Sequence, residues 1–202
     1  MRTVGIVIFD NVEVLDLCGP FEVFSVARAD GDDGDEQPLF EVLTIAERHA
    51  VVRCVGGLQV QPQAVLADHP PLDVLLVPGG IGTRKLLGNQ KLLQWIAGQH
   101  RTTEITASVC TGALLLAEAG LLDGRRVTTH WSVTDWMRSR YTQVEVLENT
   151  RFVDEGKILT SAGISAGIDM SLYLVSRLHG PQVARWTARR MEYDHWPAQT
   201  AS

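Results

Sequence analysis

Cys110 stands where a protein could present a nucleophile, at the junction of an apolar strand and a helix. Residues 105–109 read ITASV, and an apolar helical run over 111–119 begins directly after the cysteine. Ser108 and Gly112 are small, as a tight strand-to-helix elbow requires. Such a turn exposes its central side chain at the carboxyl edge of a sheet, beside a helix N-terminus that stabilises a thiolate. Cys110 is therefore the predicted nucleophile, and a buried inert cysteine is the alternative.

Two further segments could supply an acid and backbone hydrogen-bond donors. Asp16 lies in a mostly apolar segment after the first predicted strand. Burial there would raise the pKa of its carboxyl group and let it act as an acid or a base. Gly79 and Gly80 end another predicted strand, so their amides and that of Thr111 are the predicted donors to negative charge developing at the reaction centre. A solvent-facing acid and an ordinary tight turn are the alternatives.

His130 and Trp131 follow a further predicted strand at the same edge of the sheet. A Cys–His pair with Cys110 is one interpretation, and structural hydrogen bonding or pocket lining is the favoured one for the histidine. Trp131 could line an apolar pocket. No histidine shows the spacing of metal ligands, so no metal site is predicted. Cys18 and Cys54 have no comparable setting and are predicted to pack, because three widely spaced cysteines form no disulfide framework.

The elements that would position these residues alternate between strands and helices. Strands are predicted at 4–9, 40–46, 51–54, 58–61, 74–77, 105–109, 126–129, 143–147 and 152–160, with a turn at 154–156. Helices are predicted to open at Gly19-Pro20, to include Leu92, Leu93 and Ile96, and to cover 111–119, 133–140, 165–178 and 181–191. This alternation predicts an α/β fold with a doubly wound, mostly parallel sheet and helices on both faces. The acidic segment 29–36 is predicted to be an exposed loop.

Composition narrows the class of protein. A chain of 202 residues, 45% of them hydrophobic, suits one domain over 1–202. The net charge of −6 disfavours nucleic-acid binding. No apolar run reaches the ~18 residues of a membrane span, and the short N-terminal run is interpreted as a strand rather than a signal peptide. The cysteine usage favours the cytoplasm. No phosphate-binding glycine motif is present, so no cofactor is predicted.

Four motifs, taken together, resemble the ThiJ/PfpI superfamily. They are Val-Leu-Asp-Leu-Cys-Gly-Pro-Phe-Glu-Val-Phe (14–24), Val-Pro-Gly-Gly (77–80), Ala-Ser-Val-Cys-Thr-Gly-Ala (107–113) and Thr-Ser-Ala-Gly-Ile-Ser-Ala-Gly-Ile-Asp (160–169). The resemblance covers nearly the whole chain in order. It implies a flavodoxin-like fold of the class I glutamine amidotransferase type and a homodimer. The nearest branch resembles the isonitrile hydratases, and the sensor domains of AraC-type regulators share the motifs.

Within that branch, the resemblance implies that Cys110 is the nucleophile and Asp16 the essential acid. Thr111 stands where the protease-like members have a histidine, which argues against Cys–His protease and glutamine amidase chemistry. The tail after Glu192-Tyr193 departs from the proline-rich tail of the hydratases, since it continues as Asp194-His195-Trp196-Pro197. Residues predicted to line the substrate pocket are Gly19, His130, Trp131, Ile164 and Ser165.

The leading hypothesis is a cysteine-dependent lyase that hydrates a small isonitrile to an N-substituted formamide through a thioimidate. Cys110 would attack the isonitrile carbon, and Asp16 would deliver a proton and then activate water. One alternative is a stand-alone sensor of a ligand or of cysteine oxidation, related to the regulator domains. Another is a hydrolase or glyoxalase-like activity on a different small electrophile. The predicted partner is a small-molecule substrate, with neither nucleic acid nor a membrane.

Overall fold

Strands and helices follow one another along the chain in a computed structural model that describes residues 1–29, 37–194 and 196, with short strands in succession between 40 and 77 and between 145 and 161. The strands are β1 (Arg2–Val7), β2 (Phe40–Ala46), β3 (Val52–Arg53), β4 (Gln59–Val60), β5 (Ala64–Val65), β6 (Val74–Val77), β7 (Ile105–Val109), β8 (Arg126–Val127), β9 (Glu145–Val146), β10 (Phe152–Glu155) and β11 (Ile158–Ser161). The helices are α1 (Val14–Val26), α2 (Thr83–Leu86), α3 (Gln90–Thr102), α4 (Gly112–Glu118), α5 (Thr134–Arg140), α6 (Ala166–His179) and α7 (Pro181–Arg190).

Seven of these strands form one sheet within the described residues, in the order β10-β11-β7-β6-β1-β2-β5. Neighbouring strands are parallel except for the β10–β11 hairpin, which is antiparallel. The chain steps one way across the sheet from β1 to β2 and the opposite way from β6 to β7. Because such crossovers are right-handed, α1 and α3 lie on opposite faces. Helices α6 and α7 pack with α1, and α4 packs with α3. The predicted doubly wound, mostly parallel sheet is therefore confirmed.

The centre of the sheet is covered on both faces. Every residue of β6, β7 and β11 is buried, as expected for parallel strands between two helical layers. Six of the seven residues of α4 are also buried, which packs the helix that follows β7 closely against the sheet. The strand ends that carry the predicted site residues are thus fixed by a continuous core.

The start of α1 differs from the prediction. The helix begins at Val14, so Pro20 lies inside it rather than in its first turn. Proline has no N–H to donate to the carbonyl of Asp16 one turn earlier, which normally costs about 3 kcal/mol. Burial of Leu17, Val23 and Phe24 and packing against α6 offset this loss. The other predicted elements are present with ends that differ by no more than two residues, whereas β5 and α2 were not predicted.

Parts of two predicted segments, the acidic loop and the C-terminal tail, lie outside the residues that the structure describes. Most of the predicted acidic loop, residues 30–36, lies outside the described residues, as do His195 and Pro197 of the divergent tail. Within the described residues, no helix combines the length and the apolar character needed to cross a bilayer.

Candidate active site

The site forms where three adjacent strands end at the same edge of the sheet. β1 pairs with β6, and β6 pairs with β7. The chain leaves β1 toward Asp16 in α1, leaves β6 into Pro78-Gly79-Gly80, and leaves β7 at Cys110. The crossovers run in opposite directions from β1 and β6, so this is the point of an open α/β sheet where a crevice forms and ligands bind.

Cys110 occupies the predicted elbow in a left-handed backbone conformation. Its φ angle is +57°, which is uncommon for a residue with a side chain. The Cys110 amide donates to the Ser161 carbonyl at 3.0 Å, and the Cys110 carbonyl accepts a hydrogen bond from Thr129 Oγ1 at 2.8 Å. These bonds hold the strained turn from both sides, as such conformations require. The residue is only 5% exposed.

Two glycines allow α4 to begin directly against the end of β6. A Cβ atom on Gly112 would lie 2.0 Å from the Val77 carbonyl oxygen, closer than atoms can approach. A Cβ atom on Gly79 would lie 2.5 Å from the Thr111 nitrogen and 2.8 Å from Asp16 Oδ2. Glycine at these two positions therefore lets the backbone, the acid and the cysteine turn converge.

Asp16 is fully buried, with 0% of its surface exposed. Its Oδ2 accepts a hydrogen bond from the Gly79 amide at 3.0 Å, while the buried Oδ1 makes no hydrogen bond of normal geometry with any described residue. Burial raises the pKa of the carboxyl group from 3.8 to about 7, against the opposing effects of the Gly79 amide and the Cys110 thiol. The charge of Glu13 raises this pKa further.

The sulfur of Cys110 differs from the predicted thiolate. Burial and the neighbouring Asp16 carboxylate raise the pKa of the thiol to about 12, although the Thr111 amide and hydroxyl lower it. The stabilisation that a helix N-terminus offers to an anion is smaller than these two effects. These effects favour the neutral thiol over the thiolate in the resting protein, and the ionisable group beside the sulfur is the Asp16 carboxyl.

The amides of Gly79 and Gly80 have other partners than the prediction assigned to them. The Gly79 amide donates to Asp16, and the Gly80 amide donates to Thr111 Oγ1 at 3.0 Å. Thr111 Oγ1 also bonds the Gly80 carbonyl at 3.1 Å and lies 3.2 Å from the Thr83 hydroxyl. Since an amide hydrogen makes one good bond, neither glycine is free to stabilise a reaction intermediate. They position Asp16 and Thr111 instead, and the Thr111 amide is the donor that faces the sulfur.

His130 and Gly163 border the sulfur on its other side. A Cβ atom on Gly163 would lie 3.0 Å from Cys110 Sγ and 2.4 Å from His130 Cδ2. The His130 ring bonds Ser132 Oγ through Nδ1 at 2.8 Å, and burial lowers its pKa, so the imidazole is neutral at neutral pH. No hydrogen bond joins His130 to Cys110 in the described part of the chain. The ring is held by Ser132, and the structure shows no Cys–His pair among the residues that it describes.

The remaining predicted pocket residues have different surroundings. Trp131 is 80% exposed, and together with Gly163 it lines a cavity of about 550 Å³. Ile164 and Ser165 are also exposed, and the Ser165 hydroxyl lies 3.4 Å from the guanidinium nitrogens of Arg151. Gly19 is buried in α1, where an added Cβ would meet Ile168 of α6 at 2.9 Å. Its contacts are those of helix packing.

Three further residues near the site do not belong to the predicted catalytic, donor or pocket residues. Gly163 separates the sulfur from the histidine ring, Thr83 extends the hydroxyl network at Thr111, and Glu13 acts on the Asp16 carboxyl group. Gly163 lies inside segment 160–169, one of the four motifs on which the family resemblance rests, so the sequence does mark its position. Thr83 and Glu13 have no distinguishing pattern, because their roles depend on contacts between distant segments.

The chain is similar to proteins of one family both in sequence and in structure. The chain matches the DJ-1/PfpI family over residues 2–177. It is 35% identical to the isonitrile hydratase of Pseudomonas putida over 94% of this chain and 78% of that protein. It is 37% identical to the HTH-type transcriptional regulator CdhR of Pseudomonas aeruginosa over 64% of this chain and 38% of the regulator. A ThiJ/PfpI family protein from Pseudomonas syringae superposes with a TM-score of 0.85 at 28% identity, over 98% of this chain and 77% of that one. The chain therefore belongs to the DJ-1/PfpI family.

Proposed function

We propose that the protein is a cysteine-dependent hydratase that converts a small isonitrile into an N-substituted formamide. The observation that carries the proposal is the buried pair of Cys110 and Asp16, in which a neutral thiol adjoins a carboxyl group with a pKa of about 7. Such a carboxyl group can both accept and return a proton near neutral pH. The 35% identity to an isonitrile hydratase over 94% of this chain supports the choice of substrate class.

In the first step, the thiol adds to the terminal carbon of the isonitrile. The Asp16 carboxylate accepts the thiol proton as the sulfur–carbon bond forms. It then returns this proton to the same carbon, which would otherwise carry the negative charge. The product is a thioimidate, with a carbon–nitrogen double bond and the sulfur attached to a CH group. The Thr111 amide, which lowers the pKa of Cys110, stabilises the sulfur while it is anionic.

In the second step, water adds to the thioimidate carbon. Asp16 accepts a proton from the water and passes it to the nitrogen as the tetrahedral intermediate forms. The intermediate collapses by breaking the carbon–sulfur bond, and its hydroxyl proton passes through Asp16 to the departing sulfur as the carbonyl forms. The sum is one isonitrile and one water giving one formamide, with the thiol and the carboxylate restored. One difficult addition is thereby divided into two easier ones.

A steady-state assay of formamide formation tests the proposal directly. Cys110→Ala is expected to abolish turnover, and Asp16→Asn to reduce kcat/KM by roughly 10²–10⁴-fold, the usual contribution of general acid–base catalysis. Cys54→Ala is the matched control, since Cys54 is a buried cysteine outside the site. Intact-protein mass spectrometry of an acid-quenched single turnover is expected to find one isonitrile mass added to the wild type and none added to Cys110→Ala. Turnover at the wild-type rate by Cys110→Ala would refute the mechanism.

A ligand sensor without turnover is the second candidate, supported by the 37% identity to a transcriptional regulator over 64% of this chain. The same isonitrile panel separates the two. A sensor would bind a panel member saturably, and the wild type would form neither formamide nor a covalent adduct. The high pKa of Cys110 argues against peroxide sensing, because the thiolate is the form that oxidises readily.

A further inference from the structure

A second cleft opens at the carboxyl ends of β1 and β2, next to the candidate active site but separate from it. Its volume is about 570 Å³. Buried apolar residues form its floor, namely Ile8, Phe9, Ala46 and Val52. Open α/β sheets bind ligands at the carboxyl ends of their strands, so the cleft lies on the edge of the sheet that suits a ligand.

Three cationic side chains converge on this cleft. Arg48, Arg53 and Lys85 line it and are exposed. In the described part of the chain, none of the three forms an ion pair with a carboxylate. Arginines elsewhere are paired in this way, as Arg126 is with Glu155. Three cations without counter-ions around one cleft are notable in a chain whose net charge is −6.

The two acidic residues of the cleft have partners of their own. Asp10 Oδ1 accepts a hydrogen bond from the backbone amide of Arg53 at 2.9 Å. Glu47 accepts a hydrogen bond from Asn89 at 3.1 Å and lies 3.7 Å from Lys91 Nζ. The cleft therefore carries three cationic side chains against the two carboxylates of Asp10 and Glu47, and the Glu47 carboxylate also lies within ion-pair distance of Lys91.

We propose that this cleft binds a small amphipathic anion, in which a carboxylate or phosphate group is attached to an apolar body. The guanidinium groups of Arg48 and Arg53 can bind two oxygens of such an anion at once, and Lys85 supplies a third cation. The apolar floor at Phe9 and Val52 receives the body of the ligand. The proposal does not depend on isonitrile turnover, since none of these residues belongs to the Cys110 site.

Isothermal titration of the full chain with phenyl phosphate and with benzoate tests this site. Saturable binding of one molecule per chain is expected, with weaker binding of inorganic phosphate and of phenol, which each lack one half of the ligand. The tighter of the two aromatic anions identifies the charged group that the site prefers. Absence of saturable binding of both up to about 10 mM would overturn the proposal.

Substitutions locate the binding. Arg48→Gln combined with Arg53→Gln is expected to weaken binding of the preferred anion about 100-fold, since charge-assisted hydrogen bonds contribute roughly a factor of ten each. Lys85→Gln is expected to weaken it about tenfold. Arg84→Gln is the matched control, because Arg84 is an exposed neighbour of Lys85 on α2 that does not line the cleft. Unchanged binding in the double variant, or an equal loss in the control, would refute the site. Circular dichroism confirms that each variant is folded.

Discussion

Asp16→Asn is expected to make the folded protein more stable at pH 8, and the gain is expected to shrink as the pH falls toward 4. The wild-type carboxyl group is fully buried, its Oδ1 lacks a hydrogen bond of normal geometry, and its pKa rises from 3.8 to about 7 on folding. Between these two values the folded protein holds a proton that the unfolded chain has released. The stabilisation from this group is therefore complete below pH 3.8 and lost as the pH rises through about 7.

The magnitude follows from the two pKa values. One pKa unit corresponds to about 1.4 kcal/mol, so the wild type loses about 4 kcal/mol of unfolding free energy between pH 4 and pH 8 through this group. Asparagine keeps an acceptor for the Gly79 amide but does not ionise, so the variant does not undergo this loss. Any fixed difference between an amide and a protonated carboxyl group is the same at every pH and does not change the slope.

Urea unfolding of both proteins at several pH values between 4 and 8 measures the difference. Glu22→Gln is the matched control, since Glu22 is an exposed carboxylate on the same helix. The control is expected to follow the wild type within about 0.5 kcal/mol at each pH. If Asp16→Asn and the wild type show the same dependence on pH, burial does not raise the pKa of Asp16 and the proposed base loses its physical basis.

Three further outcomes are expected. The kcat/KM for isonitrile hydration is expected to rise tenfold per pH unit below about 7 and to level off above it, because Asp16 must be ionised to accept the thiol proton. A flat profile of kcat/KM from pH 5 to 9 contradicts this role. Gly79→Ala is expected to reduce turnover at least tenfold and to lower the unfolding free energy by about 1–3 kcal/mol, because the added Cβ overpacks the site. In the control Gly88→Ala the new Cβ meets no atom within 4 Å, so turnover and unfolding free energy are expected to stay unchanged. Asp169→Ala is expected to lower the unfolding free energy by about 2–3 kcal/mol in urea titrations, because it removes the buried carboxylate that accepts hydrogen bonds from Arg151 and the Tyr193 hydroxyl. A loss of less than about 0.5 kcal/mol contradicts this expectation.

The sheet was predictable because its strands carry their own signals. The strands β2, β6 and β7 have the predicted ends, and each is a short, mostly apolar run. The alternation of strands with amphipathic helices then determined the doubly wound arrangement. Cys110 was predictable for the same local reason, because small residues on both sides of a cysteine between a strand and a helix require a tight elbow.

The parts that sequence reasoning missed depend on contacts between distant segments. The Gly79 amide meets a carboxylate 63 residues away, so its use in holding Asp16 has no local pattern. The position of Pro20 within α1 depends on packing against α6, which no pattern around the proline records. The pKa of Cys110 depends on burial and on Asp16, and both outweigh the local effect of the helix N-terminus.

The same burial explains both the cost of Asp16 to stability and its value as a base. A carboxylate with an ordinary pKa of 3.8 would be a weak base for a thiol whose pKa burial raises. Because burial also raises the carboxyl pKa to about 7, Asp16 is a stronger base and the transfer of the thiol proton becomes easier. The fold loses stability above pH 7 for the same reason. A substitution that lets water reach Asp16 should therefore stabilise the protein above pH 7 and make Asp16 a weaker base, since burial is the cause of both effects.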